Sequence, residues 1–527
     1  MTSRAMPSDL ASARGRARAR VGTSRGPRPL LVSPANFLLA TRDTGYKSTA
    51  LAVAEFVDNS LQAGARSVSV EVLQSEDRDY PLELRVIDDG TGMTPEALAS
   101  ALTFGGSTRF DDRTSLGRYG MGLPNGALSR ARRVEVYTWR GKDVLSARLD
   151  VDEIVSTRRR TLPVIASISR PSFLPRSRNG TAVWLRRCDR LEYRRASALC
   201  KRLTEELSRI YRHYLRDGVS LTVNGNVIAP KDPLFLSTDG PASGAKQFGE
   251  RLTYDLAGTS GGSGTVEVTF SELPVELWHA LSTDEKRRTG VTNAPCVSIV
   301  RANREVDRGW FFMGSKRREN YDDWWRCEIR FDPNLDELFG ITHAKQSISP
   351  TRKLLDVLVP DLEPIARALN TRVRRRFELV KVTNPLGAAE RQAGRADPAL
   401  PRLASKRHPL SPELKEYLRQ ERPGNGSNRG PYRLVCAELG STKAFEIGME
   451  RDQLVVAFNA GHPLFRDLYG PLATSESADD QDVAKRLALA VLAAARAEVV
   501  ADSDDARAQL RDFRQSWGDV LATFFNA

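Results

Sequence analysis

The clearest helical period in the chain falls between Ser48 and Ala63, where Val53, Phe56, Val57 and Leu61 recur at the spacing of one helix face. The opposite stripe is polar. Glu55, Asp58, Asn59 and Gln62 stand at i, i+3, i+4 and i+7, so two carboxylates and two amides share one side of the same helix. Val68, Val70 and Val72 alternate, as do Leu84 and Val86, and each run predicts a strand with one buried face. Thr94 followed by Pro95 predicts a helix start, the hydroxyl capping and the proline at the first helical position. Strand-like runs resume at Val134 to Thr138, Val164 to Ile168 and Thr181 to Leu185, with the spacing of a mostly antiparallel sheet. A helix over Arg194 to Leu215 is expected to close this first unit.

A second unit is expected from Gly218, where Leu221-Thr222-Val223 meets Asn224-Gly225, the signature of a type I′ hairpin. It extends to about Lys381 and includes a helical pattern from Thr351 onward, with Pro360 and Pro364 as local breaks. Pro385, Pro398, Pro401 and Pro409 mark the following stretch as a linker. Beyond it, Tyr432 to Cys436 and Leu454 to Phe458 predict strands, and Asp482 to about Ala501 a helix. The expected layout is a basic arm over 1–30, a first domain over 31–217, a second over 218–381, a linker over 382–412 and a small α+β domain over 413–527.

Composition narrows the setting. The chain has 527 residues, 40% of them hydrophobic and 28% charged, which supports several cores and excludes wholesale disorder. A net charge of +13 favours a polyanionic partner such as nucleic acid. Seven of the arginines stand in the first thirty residues, with Asp9 as the one acid, and that segment reads as a disordered arm without a secretory signal's apolar region. Five single cysteines indicate neither disulfides nor a zinc site and suit a reducing, cytoplasmic compartment. No run reaches the roughly 18 to 20 apolar residues of a membrane span. The abundance of alanine and arginine suggests a GC-rich bacterial source.

Three segments carry chemistry. On the first helix, Glu55 and Asn59 stand one turn apart, so a carboxylate can orient a water while an amide oxygen ligates magnesium. The second strand run ends in Asp88-Asp89-Gly90-Thr91-Gly92-Met93, which sets a carboxylate at the edge of the sheet, beside glycines that let a flat base approach the backbone. Gly117-Arg118-Tyr119-Gly120-Met121-Gly122-Leu123 precedes a helical run and offers unhindered backbone amides to phosphate. It lacks the preceding strand of a dinucleotide fingerprint and the Gly-Lys-Ser or Gly-Lys-Thr of a Walker loop. Each segment alone is also the ordinary chemistry of a solvated helix face or a turn.

Together with Gly180-Thr181, these segments resemble the GHKL ATPases, the group of gyrases, MutL, certain heat-shock chaperones and histidine kinases. Phe104-Gly105-Gly106-Ser107-Thr108, the stretch from Val223 through Pro233, and Lys345-Gln346 look most like the microrchidia (MORC) branch and its prokaryotic Hsp90-like relatives. Met121 and Pro124 stand where that branch commonly has Asn and Lys. The resemblance implies an α+β chain: a Bergerat-fold α/β sandwich, then a transducer-like (ribosomal S5-like) domain, then the small C-terminal domain. It implies ATP and Mg2+ as cofactors, Glu55 as catalytic base, Asn59 as magnesium ligand, Asp88 as reader of the adenine with help from Thr181, and Lys345 reaching the γ-phosphate from the second domain. Gly90, Gly92, Met93, Gly117, Tyr119, Gly120, Met121, Gly122 and Leu123 would line the nucleotide, and Gly105 to Tyr119 would form a lid. It further implies a homodimer on ATP binding and a DNA-associated clamp or remodelling role, with a chaperone-like ATPase acting on a protein client as the alternative. Arg158-Arg159-Arg160, Lys316-Arg317-Arg318 and Arg372 to Arg376 are the clusters expected to meet DNA, and the C-terminal unit is expected to dimerise or bind a protein partner. No membrane contact is expected. A histidine kinase is disfavoured because His213, the first histidine, follows the nucleotide motifs. A topoisomerase or MutL-type nuclease is disfavoured because no acidic metal cluster follows the second unit.

Overall fold

The computed structural model describes residues 33–106, 121–157, 161–162, 164–237, 244–259, 261–279, 281–292, 296–341, 347–403, 408–420, 430–440, 442–450 and 452–527. The expected basic arm and Arg158-Arg159-Arg160 lie outside them.

The chain begins with α1 (Pro34–Asp43), α2 (Thr49–Gln62), β1 (Ser67–Gln74), β2 (Leu82–Asp88), α3 (Pro95–Leu102), α4 (Gly122–Leu128), β3 (Arg133–Arg140), β4 (Asp143–Asp150), α5 (Val151–Thr157), β5 (Ala166–Ser167), β6 (Asn179–Arg186), α6 (Ala196–Ile210), α7 (Arg212–Arg216), β7 (Ser220–Val223) and β8 (Asn226–Val227). The strands form one sheet in the order β5-β4-β3-β6-β2-β1-β7-β8. Every pairing is antiparallel except β1 with β7. Alternation explains the layering. Val68, Val70, Val72, Leu84, Val86, Val134 and Val136 face one core with Val53, Phe56 and Val57 of α2, Leu123, Ala127 and Leu128 of α4, and Leu199, Leu203 and Leu207 of α6. This is a mixed α+β fold with an antiparallel-rich sheet, consistent with the α/β sandwich of the GHKL ATPases.

The capping expectation at α3 is met, the Thr94 hydroxyl accepting from Ala97 N with Pro95 opening the helix, and the Ser48 hydroxyl caps α2 in the same way by accepting from Leu51 N. The Asn224-Gly225 turn is also found, both residues at positive φ, as type I′ requires. It does not start the second unit, because β7 and β8 complete the first sheet, past the boundary expected at 217. The helix expected over Arg194 to Leu215 breaks at Tyr211, whose backbone leaves the helical region. The strand expected over Val164 to Ile168 shrinks to two residues, and β4 was not foreseen.

A second sheet, ordered β12-β11-β13-β10-β9, is built from β9 (Lys246–Ala257), β10 (Ser263–Glu272), β11 (Val297–Arg301), β12 (Arg304–Gly309) and β13 (Trp325–Phe331). The helices α8 (Val275–Trp278), α9 (Thr283–Thr289) and α10 (Asp336–Phe339) flank it. Then α11 (Arg352–Ala396) runs for 45 residues straight through Pro360, Pro364 and Pro385, about 68 Å at helical rise. The expected breaks are absent, and the helix takes up residues 382–396 of the expected linker over 382–412. Leu354, Leu358, Leu362, Ala366 and Leu369 bury against the second sheet, and Val382, Leu386 and Ala389 against the third core. Packing at both ends outweighs the cost of the missing amides.

The remainder comprises α12 (Pro412–Gln420), β14 (Tyr432–Ala437), β15 (Phe445–Glu450), β16 (Gln453–Asn459), α13 (Gly470–Thr474), α14 (Ala478–Val500) and α15 (Asp504–Asn526), with the strands ordered β14-β16-β15. The sequence reading did not include β15 or α15. Phe513, Val520 and Phe524 of α15 are exposed. Among the described residues no helix is long and apolar enough to cross a membrane.

Candidate functional site

Asp88 ends β2, which lies between β6 and β1, so the carboxylate sits at the end of a central strand and not on the sheet's edge. It is buried and held by neutral donors: the Ser60 hydroxyl at 2.9 Å, the Gly90 amide at 2.9 Å and the Thr181 amide at 3.2 Å. Burial raises its pKa above the usual carboxylate range, and the three hydrogen bonds pull against that rise. The same Ser60 contact fastens α2 to the end of β2, which brings the polar stripe of the helix to Asp88.

Around Asp88 the backbone is tightly interlocked. Thr138 donates its hydroxyl to Gly180 O at 3.1 Å, accepts from Met93 N at 2.8 Å and lies 3.3 Å from the Thr181 hydroxyl. The glycines prove to be packing requirements as well as openings. A Cβ on Gly92, which has φ +67°, would collide with Trp139 O, and one on Gly180 with Asp88 O and the Trp139 ring. A Cβ on Gly90 would stand 2.9 Å from the Ala63 Cβ.

The polar stripe of α2 divides by burial. Glu55 is 3% exposed and Asp58 fully buried, whereas Asn59 is half-buried and its amide makes no side-chain hydrogen bond among the described residues. A solvated face would expose all four positions. Glu55 hydrogen-bonds the buried Tyr46 phenol, whose pKa rises through burial and then through this carboxylate. A Cβ on Gly122 would collide with the Glu55 carboxylate, so the first residue of α4 has to be glycine for Glu55 to keep its place. Met121 precedes it as the N-cap, half-buried, and Leu123 is a core residue packed with α2. Gly117, Tyr119, Gly120 and most of the expected lid lie outside the described residues, as do Lys345 and His343.

The segment that follows Lys345 is anchored near this site. Ile348 N donates to the Asp307 carboxylate at 2.9 Å, and Asp307, raised by burial, is in turn lowered by the Lys47 ammonium. Lys47 directly follows Tyr46, the partner of Glu55.

Sequence reasoning missed Tyr46, Ser60 and Thr138. Ser60 was findable, since it follows Asn59 on the face turned to β2; Tyr46 and Thr138 gave no motif signal. Two expected DNA-facing clusters are largely engaged within the protein. Lys316 is buried against Asp322 at 2.7 Å and Arg318 pairs with Asp323 at 2.8 Å. Arg372 and Arg376 pair with Glu272, and Arg374 with Glu319. The neighbouring Trp324 and Trp325 are core residues. No cluster of three or more His, Cys, Asp or Glu suited to a metal occurs among the described residues.

Residues 46–181 match the family model described as histidine kinase-, DNA gyrase B- and HSP90-like ATPase. The chain is 38% identical over 103 residues to "ATPase morc-1" of Caenorhabditis elegans, covering 20% of this chain and 12% of that protein. It is 34% identical over 101 residues to human "ATPase MORC2", covering 19% of this chain and 10% of that protein. "Protein MICRORCHIDIA 6" of Arabidopsis thaliana is 33% identical over 108 residues, covering 20% of this chain and 16% of that protein. The resemblance to GHKL and MORC-like ATPases is thus borne out over the first unit, and the aligned part spans only 12%, 10% and 16% of these three relatives.

Proposed function

We propose that the chain binds and hydrolyses ATP at the junction of α2 and the end of β2. The observation that carries this reading is the Ser60–Asp88 hydrogen bond, which joins a buried carboxylate surrounded by neutral donors to the helix that bears Glu55 and Asn59. A buried carboxylate with no cation beside it among the described residues is poised to accept from a ligand's amino group, and Asp88 would take the exocyclic amine of adenine with Thr181 alongside. Glu55 would orient the attacking water, its carboxylate steered by the Tyr46 phenol and confined by Gly122. Asn59 would ligate magnesium, which when bound neutralises charge on the phosphates. Gly90, Gly92, Met93, Gly117, Tyr119, Gly120, Met121, Gly122 and Leu123 would shape the pocket, and Lys345 would meet the γ-phosphate. The anchored segment after Lys345 supports that last role.

The wider reading is a nucleotide-gated dimer that acts on duplex DNA as a clamp or remodelling ATPase. The excess of positive charge supports it, and two of the named relatives are called ATPases. The internal pairing of Lys316, Arg318, Arg372, Arg374 and Arg376 favours the second reading, an ATPase acting on a protein client, and the exposed aromatics of α15 suit a protein partner. Steady-state hydrolysis with and without duplex DNA or an unfolded protein separates the two: a DNA clamp is stimulated by the duplex and loses that stimulation steeply with salt. Glu55→Gln should bind ATP and not turn it over. Turnover surviving in that purified variant removes Glu55 from the catalytic role.

A further inference from the structure

The middle turn of α2 carries a second buried carboxylate that the nucleotide chemistry does not use. Asp58 stands three residues after Glu55 and one before Asn59, on the same turn, and is fully buried. Its partner comes from the second sheet: Arg304, the first residue of β12, is 1% exposed and sets its Nε 2.9 Å from an Asp58 oxygen. The Tyr211 hydroxyl donates to Asp58 at 2.7 Å and lies 2.6 Å from Ala54 O, so the α6–α7 junction closes the third side.

Arg304 is itself held rigidly. It follows a tight β11–β12 turn in which Ala302 and Asn303 both have positive φ, a conformation that non-glycine residues adopt only when their surroundings impose it. Ala302 O accepts from the Tyr214 hydroxyl at 3.0 Å. Next to it, Glu305 takes Arg212 Nη1 at 2.9 Å, while Arg212 Nη2 reaches Ser298 at 2.9 Å and Glu328 at 2.5 Å. The tip of the second sheet is thus keyed into the first unit by desolvated charges, all with partners. Such pairs add little net stability compared with apolar packing, but they tolerate one register only.

We infer that Arg304 is a positioning residue: through Asp58 it sets the turn of α2 that carries Glu55 and Asn59, so that the seating of the second sheet governs hydrolysis and not nucleotide capture. The inference rests on the proposed ATPase reading. Asp88 meets α2 through Ser60, two residues beyond Asp58 and so on the opposite face of the helix, and its hydrogen bonds go to Ser60, Gly90 and Thr181, which is why capture and turnover separate. A misplacement of about 1 Å costs a catalytic constellation roughly 100-fold in rate.

The test uses the full chain with Mg2+ and ATP, and reads affinity by calorimetry and turnover by phosphate release. Arg304→Gln is expected to bind ATP within about threefold of the parent while its turnover falls roughly 100-fold. Arg304→Lys, which keeps the charge, should recover part of that loss. Asp58→Asn combined with Arg304→Gln should be no slower than either alone, because both remove one linkage. The double variant buries no unpaired charge and stands in for Arg304→Gln if that protein does not fold; if neither folds, Arg304→Lys alone decides, by whether turnover falls with affinity retained. Turnover within twofold of the parent, or a matching loss of affinity and turnover, overturns the inference. A parent that neither binds nor hydrolyses ATP sinks the ATPase reading itself, and a parent silenced by Glu55→Gln beside an unaffected Arg304→Gln sinks only the linkage.

Discussion

Asp58 and Asp88 are both buried, both border α2, and differ in what surrounds them. Asp58 meets a guanidinium and a phenol that belong to elements far along the chain, whereas Asp88 meets one hydroxyl and two backbone amides. Asp58 is neutralised within the fold and so acts on structure. Asp88 has no cation beside it among the described residues, its ionised form is disfavoured by burial, and it gains from a donor brought by a ligand. Burial alone therefore does not mark a binding carboxylate. The absence of a built-in countercharge does.

The contrast can be broken most forcefully at Asp58. Replacing it by Asn leaves the Arg304 guanidinium buried without its countercharge and should cost roughly 3–5 kcal/mol of stability, read by chemical denaturation, with the binding of ATP to the folded fraction retained. At Asp88 the same replacement should do the opposite. Asp88→Asn should weaken ATP binding by about 100-fold, the loss of a hydrogen bond of ~2–3 kcal/mol to a charged acceptor, measured by calorimetry, while the protein stays folded. Gly122→Ala should displace the Glu55 carboxylate at a cost of ~1–3 kcal/mol, lowering turnover at saturating ATP with affinity largely kept.

The smallest effect sharpens the comparison through pH. Because the folded-state pKa of Asp88 lies above its unfolded value, the stability linked to its protonation is fully present below the unfolded pKa and is lost as pH rises through the folded one. Without nucleotide, Asp88→Asn should therefore melt at or above the parent's temperature near neutral pH, and this advantage should vanish toward about pH 4. Thermal melts across that range check it; an Asp88→Asn protein that melts well below the parent at neutral pH would mean that Asp88 serves stability after all.

How much of this was legible beforehand follows from which contacts are local. Asp88 stood out because a strand run ended in Asp-x-Gly-x-Gly, and Glu55 and Asn59 because an apolar period left them on one stripe. The role of Asp58 was invisible, since its partner lies 246 residues away and no spacing rule reaches that far. The same limit explains α11. Pro360, Pro364 and Pro385 read as breaks by local rules, and only the two cores at either end of the helix account for its continuity. Lys316 read as a phosphate contact because two arginines follow it in sequence, yet Asp322 folds back over it. Gly92 was legible as an opening for a flat base and Gly180 only through the family resemblance; the neighbour that excludes a side chain at both, Trp139, comes from another strand.

The central claim is that the neutral-donor carboxylate reads a nucleotide base, and titrating ATP into the full chain with Mg2+, beside Asp88→Asn and with GTP as competitor, tests it most directly. The account predicts one saturable site for ATP in the parent, little heat from GTP, whose ring bears a carbonyl where adenine has its amine, and loss of the ATP site in the variant. Equal affinity of parent and variant, or equal affinity for the two nucleotides, contradicts it.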